Sequence, residues 1–137
     1  MDNSIEARNL AAARAYLAAL ESGAVGDKLA RFFAADAVQV ELPNRLNPKG
    51  GQSDVPTLLK RAEQGAKLMQ RQSYEVRSAV AQGARVAVEA AWTGVLAVPF
   101  GSVAAGGAIK AHLAMFFEFA GDGRIALLRN YDCFEAW

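Results

Sequence analysis

Apolar and polar positions along this chain change their spacing near residue 71. Before that point the apolar residues recur at helical intervals. In "IEARNLAAARAYLAALESG", Leu10, Ala13, Leu17 and Leu20 fall on one face with Tyr16 beside them, and Gly23 is the expected C′ stop. Asn3 and Glu6 have the spacing of a capping box at its start. "DKLARFFAAD" reads as a short second helix with Leu29, Phe32 and Phe33 inward. "AVQVELP" is β-branched, alternates and ends at a proline, which predicts a strand from Ala37 to Leu42. "PNRLNPKGGQS" is loop by composition. Ser53 and Asp54 ahead of Pro56 open a third helix, running to about Gln70 on Val55, Leu58, Leu59, Ala62 and Met69.

After residue 71 the period is two. "QSYEVRSAVAQ" and "ARVAVEAAWTGVLAV" meet at Gln82-Gly83, a hairpin signal. The glycine-rich "PFGSVAAGG" leads to "AIKAHLAMFFEFA", and the turn at Gly121 to Gly123 returns the chain as "RIALLRNYDCFEAW". Helices followed by long antiparallel strands in series predict a single α+β domain over residues 1–137. Three helices pack on the concave face of a strongly bent, mainly antiparallel sheet. A concave face roofed by helices is a natural pocket for a small molecule.

Composition narrows the partners. Hydrophobic residues make up 53% of the 137, charged residues 21%, and the net charge is +1, as expected of a folded globular chain. Fifteen basic residues against fourteen acidic ones leave no stripe for a phosphate backbone, so nucleic acid is not an expected partner. No apolar run approaches the roughly 20 residues of a membrane span. The first ten residues lack the features of a signal peptide, and a cytoplasmic location is the default expectation. Cys133 is the only cysteine, and its ordinary role is that of a small buried hydrophobe. No metal-ligand spacing or phosphate-binding glycine motif occurs, so no metal or cofactor is expected.

The order helix, helix, strand, helix and four long strands resembles the cone-shaped NTF2-like superfamily. "ARAYLAALESG", "FFAADAVQVELP", "MFFEFAGDGRI" and "RNYDCFEAW" resemble its SnoaL-like members, the relatives of polyketide cyclases and ketosteroid isomerases. The resemblance spans nearly the whole chain. It implies the cone fold and a small apolar ligand, and a homodimer formed through the outer sheet face. Activity is less constrained, because one fold hosts many chemistries.

Carried over residue by residue, Tyr16 matches the oxyanion-stabilising tyrosine of ketosteroid isomerases. Their general base falls on Leu42 and their second oxyanion acid on Met115. A leucine and a methionine can neither remove a proton nor donate a hydrogen bond, so that mechanism is disfavoured. The same register, with strand alternation, turns Val86, Val88, Ala90 and Trp92 inward. It does the same for Leu113, Met115 and Phe117, and for Leu128, Asn130 and Asp132.

Asp132 is thereby an acid facing an apolar pocket, where desolvation raises its pKa and suits it to proton transfer. The alternative is a structural ion pair with Arg31 or Arg129, or a loop cap near the pocket mouth. Tyr16 is a donor or simply a core tyrosine. His112, the only histidine, lies on the outer face by strict alternation and joins Asp132 only if a bulge turns it inward. Trp92, Asn130, Leu42, Met115, Phe117 and Leu128 are the expected ligand-binding walls. Two functions fit: a proton-transfer enzyme (isomerase, cyclase, dehydratase or hydrolase) with Asp132 as acid or base and Tyr16 or His112 as donor, or a non-catalytic module that binds an apolar ligand or dimerises.

Overall fold

The computed structural model describes residues 4–137. Helix α1 (Ile5–Glu21) is capped by Ser4, whose hydroxyl accepts the Ala7 N–H at 3.0 Å. Asn3, the cap expected from the sequence, lies outside the described residues. The Glu6 carboxylate accepts the Gly83 N–H at 2.9 Å and so ties α1 to a distant turn. At the other end Gly23 has φ 77°. The Ala24 N–H reaches the Ala19 carbonyl at 3.0 Å and the Gly23 N–H reaches Leu20 at 3.1 Å, the paired closure that a left-handed C′ glycine permits.

Helix α2 is a single turn, Asp27–Ala30, and β1 runs Phe33–Glu41. This corrects the longer second helix and the shorter strand expected from the sequence. "FFAAD" is compatible with helix by local preference, but Phe33 pairs with Ile125 and the Ile125 N–H binds the Phe32 carbonyl at 2.8 Å. Tertiary pairing decides. The stretch expected to be all loop holds β2 (Gly51–Ser53), antiparallel to the end of β1. Gly50 enters it with φ 62°, and a Cβ there would be driven into the Glu41 carbonyl.

Helix α3 (Val55–Leu68) starts at Asp54, which accepts the Thr57 N–H at 2.9 Å, and it ends two residues short of Gln70 because Met69 already belongs to the next strand. Strands β3 (Met69–Gln82), β4 (Arg85–Leu96), β5 (Ala108–Phe119) and β6 (Ile125–Phe134) follow. The first turn is Gly83-Ala84, with φ 59° at the glycine, matching a two-residue hairpin loop that begins on glycine.

One six-stranded sheet results, in the order β2-β1-β6-β5-β4-β3. Every neighbouring pair is antiparallel except β1 and β6. The three helices pack on the sheet to form the NTF2-like cone. Val86, Val88 and Ala90 of β4, Leu113, Met115 and Phe117 of β5, and Leu128 of β6 are buried in one cluster with Ala13, Tyr16 and Leu17 of α1. From Leu127 to Phe134, β6 keeps an unbroken register against β5, so alternation holds through Asp132.

Phe117 and Leu128, expected as walls of a pocket, sit in the solid part of this core at 1% and 0% exposure. Leu128→Ala is therefore expected to cost about 2–5 kcal/mol, the range for a large-to-small change at a closely packed site. Urea unfolding followed by circular dichroism measures it; a loss under 1 kcal/mol, on the order of a surface change, would put Leu128 outside the core.

Candidate functional site

Between the helices and the inner face of the sheet lies an open cavity of about 880 Å³, a size that holds a small organic molecule. The C-terminal half of α1 and the following turn form one side, from Tyr16 to Ala24. Helix α3 forms another with Leu58, Arg61 and Ala62. The sheet supplies the floor: Gln39 and Glu41 from β1, Gln72 and Tyr74 from β3, and Trp92, Met115 and Asn130 from β4, β5 and β6.

Tyr16 reaches the cavity because its helix face lies over the sheet. Its ring stands edge-on to Phe32, Phe33 and Phe117, with centroids 5.7, 5.3 and 6.1 Å away. That packing fixes the phenol, and burial pushes its pKa well above the ordinary tyrosine value. At neutral pH it is a hydrogen-bond donor and not a phenolate.

Asp132 follows Asn130 on the inner face of β6, opposite the buried Leu113. Its Oδ1 is buried and finds no hydrogen-bond partner among the described residues. Burial, and then the nearby charge of Glu41, push its carboxyl up to about 6. Neither arginine offered as a partner by the sequence is engaged with it. Arg129 binds Glu118 at 3.0 Å on the other face, and the Arg31 guanidinium lies 4.4 Å over the Phe32 ring. Asp132 stands two residues beyond the cavity-lining Asn130 on the same face and is not itself part of the wall.

Glu41 is the neighbour that sequence reasoning missed. It ends β1 beside Asn130, since the two strands run parallel and in register there. Its carboxylate accepts from Asn44 at 2.7 Å and lies 3.6 Å from the Arg61 guanidinium, which also donates to the Ser53 hydroxyl at 3.1 Å. Gln39 donates to the Asn130 side-chain oxygen at 3.0 Å. Arg61 falls outside the apolar stripe of α3, so the sequence carries no signal for it. Gln72 and Tyr74 could have been found by extending the alternation of Val76 backwards along β3.

Those two residues form a second polar group with Trp92. The Trp92 N–H donates to the Gln72 Oε1 at 2.8 Å, and the Gln72 amide nitrogen donates to the Leu20 carbonyl at 3.1 Å. Gly94 makes this rotamer possible. A Cβ there would stand 2.7 Å from the Trp92 ring at Cζ2, closer than real atoms approach.

Leu42 is half-buried and outside the cavity wall, so it joins Phe117 and Leu128 as an expected wall residue that the structure puts elsewhere. His112 stands on the outer face, paired in register with Cys133 and hydrogen-bonded to Glu135 at 3.1 Å. No bulge turns it inward, so it cannot reach the cavity. Cys133 is exposed and is not the buried hydrophobe expected of it. No group of three or more His, Cys, Asp or Glu placed to hold a metal ion occurs among the described residues. No helix among them is long and apolar enough to cross a membrane.

Residues 13–128 match the family model of the SnoaL-like domain, and the chain belongs to that family. No curated protein matches it in sequence. Similar solved structures include AclR of Streptomyces galilaeus, a proposed hydroxylase, at 20% identity and TM-score 0.76, covering 93% of this chain and 80% of that one. IdmH of Streptomyces antibioticus, a proposed polyketide cyclase, is similar at 21% and 0.73, covering 90% and 91%. A Catenulispora acidiphila protein with a ketosteroid isomerase-like fold, bound to trimethylamine, is similar at 18% and 0.66, covering 88% and 83%. At these identities the likeness establishes the fold.

The raised pKa of Asp132 has a consequence for stability. Between about pH 4 and pH 6 the folded protein holds a proton that the unfolded chain has released, so this group's contribution falls as pH rises through that window and then levels. Asp132→Asn is expected to stabilise the fold by about 1–2 kcal/mol at pH 8, discounted for partial exposure, and by almost nothing at pH 4. Paired urea melts at the two pH values measure the difference. A gap that does not change with pH would contradict a desolvated carboxyl.

Proposed function

We propose that this protein binds a largely apolar small molecule in its cone cavity and catalyses a proton transfer on it, as an isomerase, cyclase, dehydratase or hydrolase does. Asp132 is the acid or base, and Tyr16 donates a hydrogen bond to the ligand. The observation that carries this reading is the buried, unpartnered Oδ1 of Asp132 beside a cavity of about 880 Å³. A carboxyl held near pH 6 exchanges a proton close to neutrality with little driving force lost. Met115 and Trp92 offer apolar contact, and Asn130 and Gln39 offer amides for orientation.

A second reading, a non-catalytic binder of the same ligand class, is favoured by one observation. Asn130, a neutral amide, is the residue of β6 that borders the cavity, while Asp132, two residues further along the same face, is not among the lining residues. Deuterium uptake into a panel of apolar cyclic ketones, read by mass spectrometry, separates the two. The enzyme reading predicts exchange that rises with pH through about 6, and a loss of about a hundredfold or more in Asp132→Asn, the scale of a general base. Ligand binding with no exchange in the wild type would leave the binder.

The outer sheet face supports an assembly. Phe116 and Tyr131 stack edge to face at 5.6 Å there and are 40% and 43% exposed. An exposed aromatic pair at the centre of a sheet face suits a second copy of the chain. Light scattering at tens of micromolar, where a standard-sized interface usually holds, is expected to give a homodimer, and Phe116→Asp a monomer. A wild-type monomer at that concentration would refute the assembly.

A further inference from the structure

Tyr74 has a phenol for which the fold gives little use. The residue is half-buried on the inner face of β3 and borders the cavity. Its backbone is pinned, because its N–H donates to the Glu21 carboxylate at 2.9 Å and so fastens β3 to the end of α1. Its hydroxyl is different. The one acceptor within reach among the described residues is the Gln72 Oε1 at 3.5 Å, far beyond the 2.7–2.8 Å usual for an O–H donor. That oxygen already holds the Trp92 N–H at 2.8 Å, and Gln72 cannot swing closer while its nitrogen is bound to Leu20.

The constraint can be followed back to one residue. Gly94 lets the Trp92 indole lie along the strand, the indole takes the better position on Gln72, and the O–H of Tyr74, a residue that lines the cavity, is left at the edge of bonding distance. A half-buried hydroxyl without a good acceptor gains more from a new partner than one already bonded. The phenol is also neutral: burial first, and then the fields of Tyr16, Asp132 and Glu21, push its pKa far above the usual range.

We infer that Tyr74 is a second hydrogen-bond donor to the ligand, its O–H meeting a carbonyl-type oxygen on an otherwise apolar body, with Gln72 and Trp92 as the residues that position it. This rests on the cavity being a small-molecule site, as proposed above. It adds a residue that the sequence did not single out, and it narrows the ligand to one that presents an acceptor oxygen toward β3.

Two probes with the same carbon skeleton test it. 2-Acetylnaphthalene has an acceptor oxygen and 2-ethylnaphthalene has none, and both can be titrated against the full chain by quenching of tryptophan fluorescence. The wild type is expected to prefer the acetyl compound by roughly fivefold to tenfold, the worth of one hydrogen bond. Tyr74→Phe should erase most of that preference while leaving the affinity for 2-ethylnaphthalene unchanged, which a merely structural role would not do. A preference that survives Tyr74→Phe, or that vanishes only in Tyr16→Phe, overturns the assignment and leaves the cavity a ligand site. If neither compound binds the wild type, the small-molecule reading fails, and the assignment with it.

Discussion

Two carboxylates are brought close at the end of the one parallel strand pair, and the fold treats them unequally. Glu41 has Arg61 and Asn44 around it. Asp132 has a buried oxygen with no partner among the described residues and feels the Glu41 charge besides. An unpaired buried carboxylate is costly, and the ordinary response is to take up a proton. That asymmetry is what makes a chemically usable group of Asp132. The pairing of β1 with β6 generates it, because the register that sets Glu41 beside Asn130 also brings Asp132 to the same end.

The remainder of the site is held by cross-links between elements far apart in sequence. Glu6 binds the β3–β4 turn, Glu21 binds the backbone of Tyr74, and Gln72 binds the last turn of α1. Each fixes α1 along the edge of the sheet, and α1 in turn keeps Tyr16 pressed between three phenylalanines. Helix α1 is thus both roof and clamp. The Trp92 indole is tied back by its hydrogen bond to Gln72 instead of filling the cavity.

Much of this was legible in the sequence, for a physical reason. Strands β4 to β6 bury one face only, so the register carried over from the family resemblance, together with strand alternation, places Val86, Val88, Ala90, Leu113, Met115 and Leu128 on the inner face. Asn130 and Asp132 follow from the same count. What was not legible depends on contacts across the chain. "FFAAD" enters a strand only because Ile125 is there to pair with it, and β2 exists only because the end of β1 offers an edge. Glu41 and Arg61 come together through tertiary closure, and no local pattern marks either. Alternation also says which way a side chain points but not how deep it lies, which is why Phe117 and Leu128 were expected at the cavity and belong to the core.

The central claim is that Asp132 is desolvated and holds its proton toward neutrality. Carbon-13 NMR of the protein labelled at the aspartate side-chain carboxyl carbon reads this directly, with the Asp132 signal assigned by its disappearance in Asp132→Asn. The account predicts a titration midpoint at about 6 for that resonance. A midpoint at or below 4, the ordinary range for a solvated or ion-paired aspartate, would contradict it.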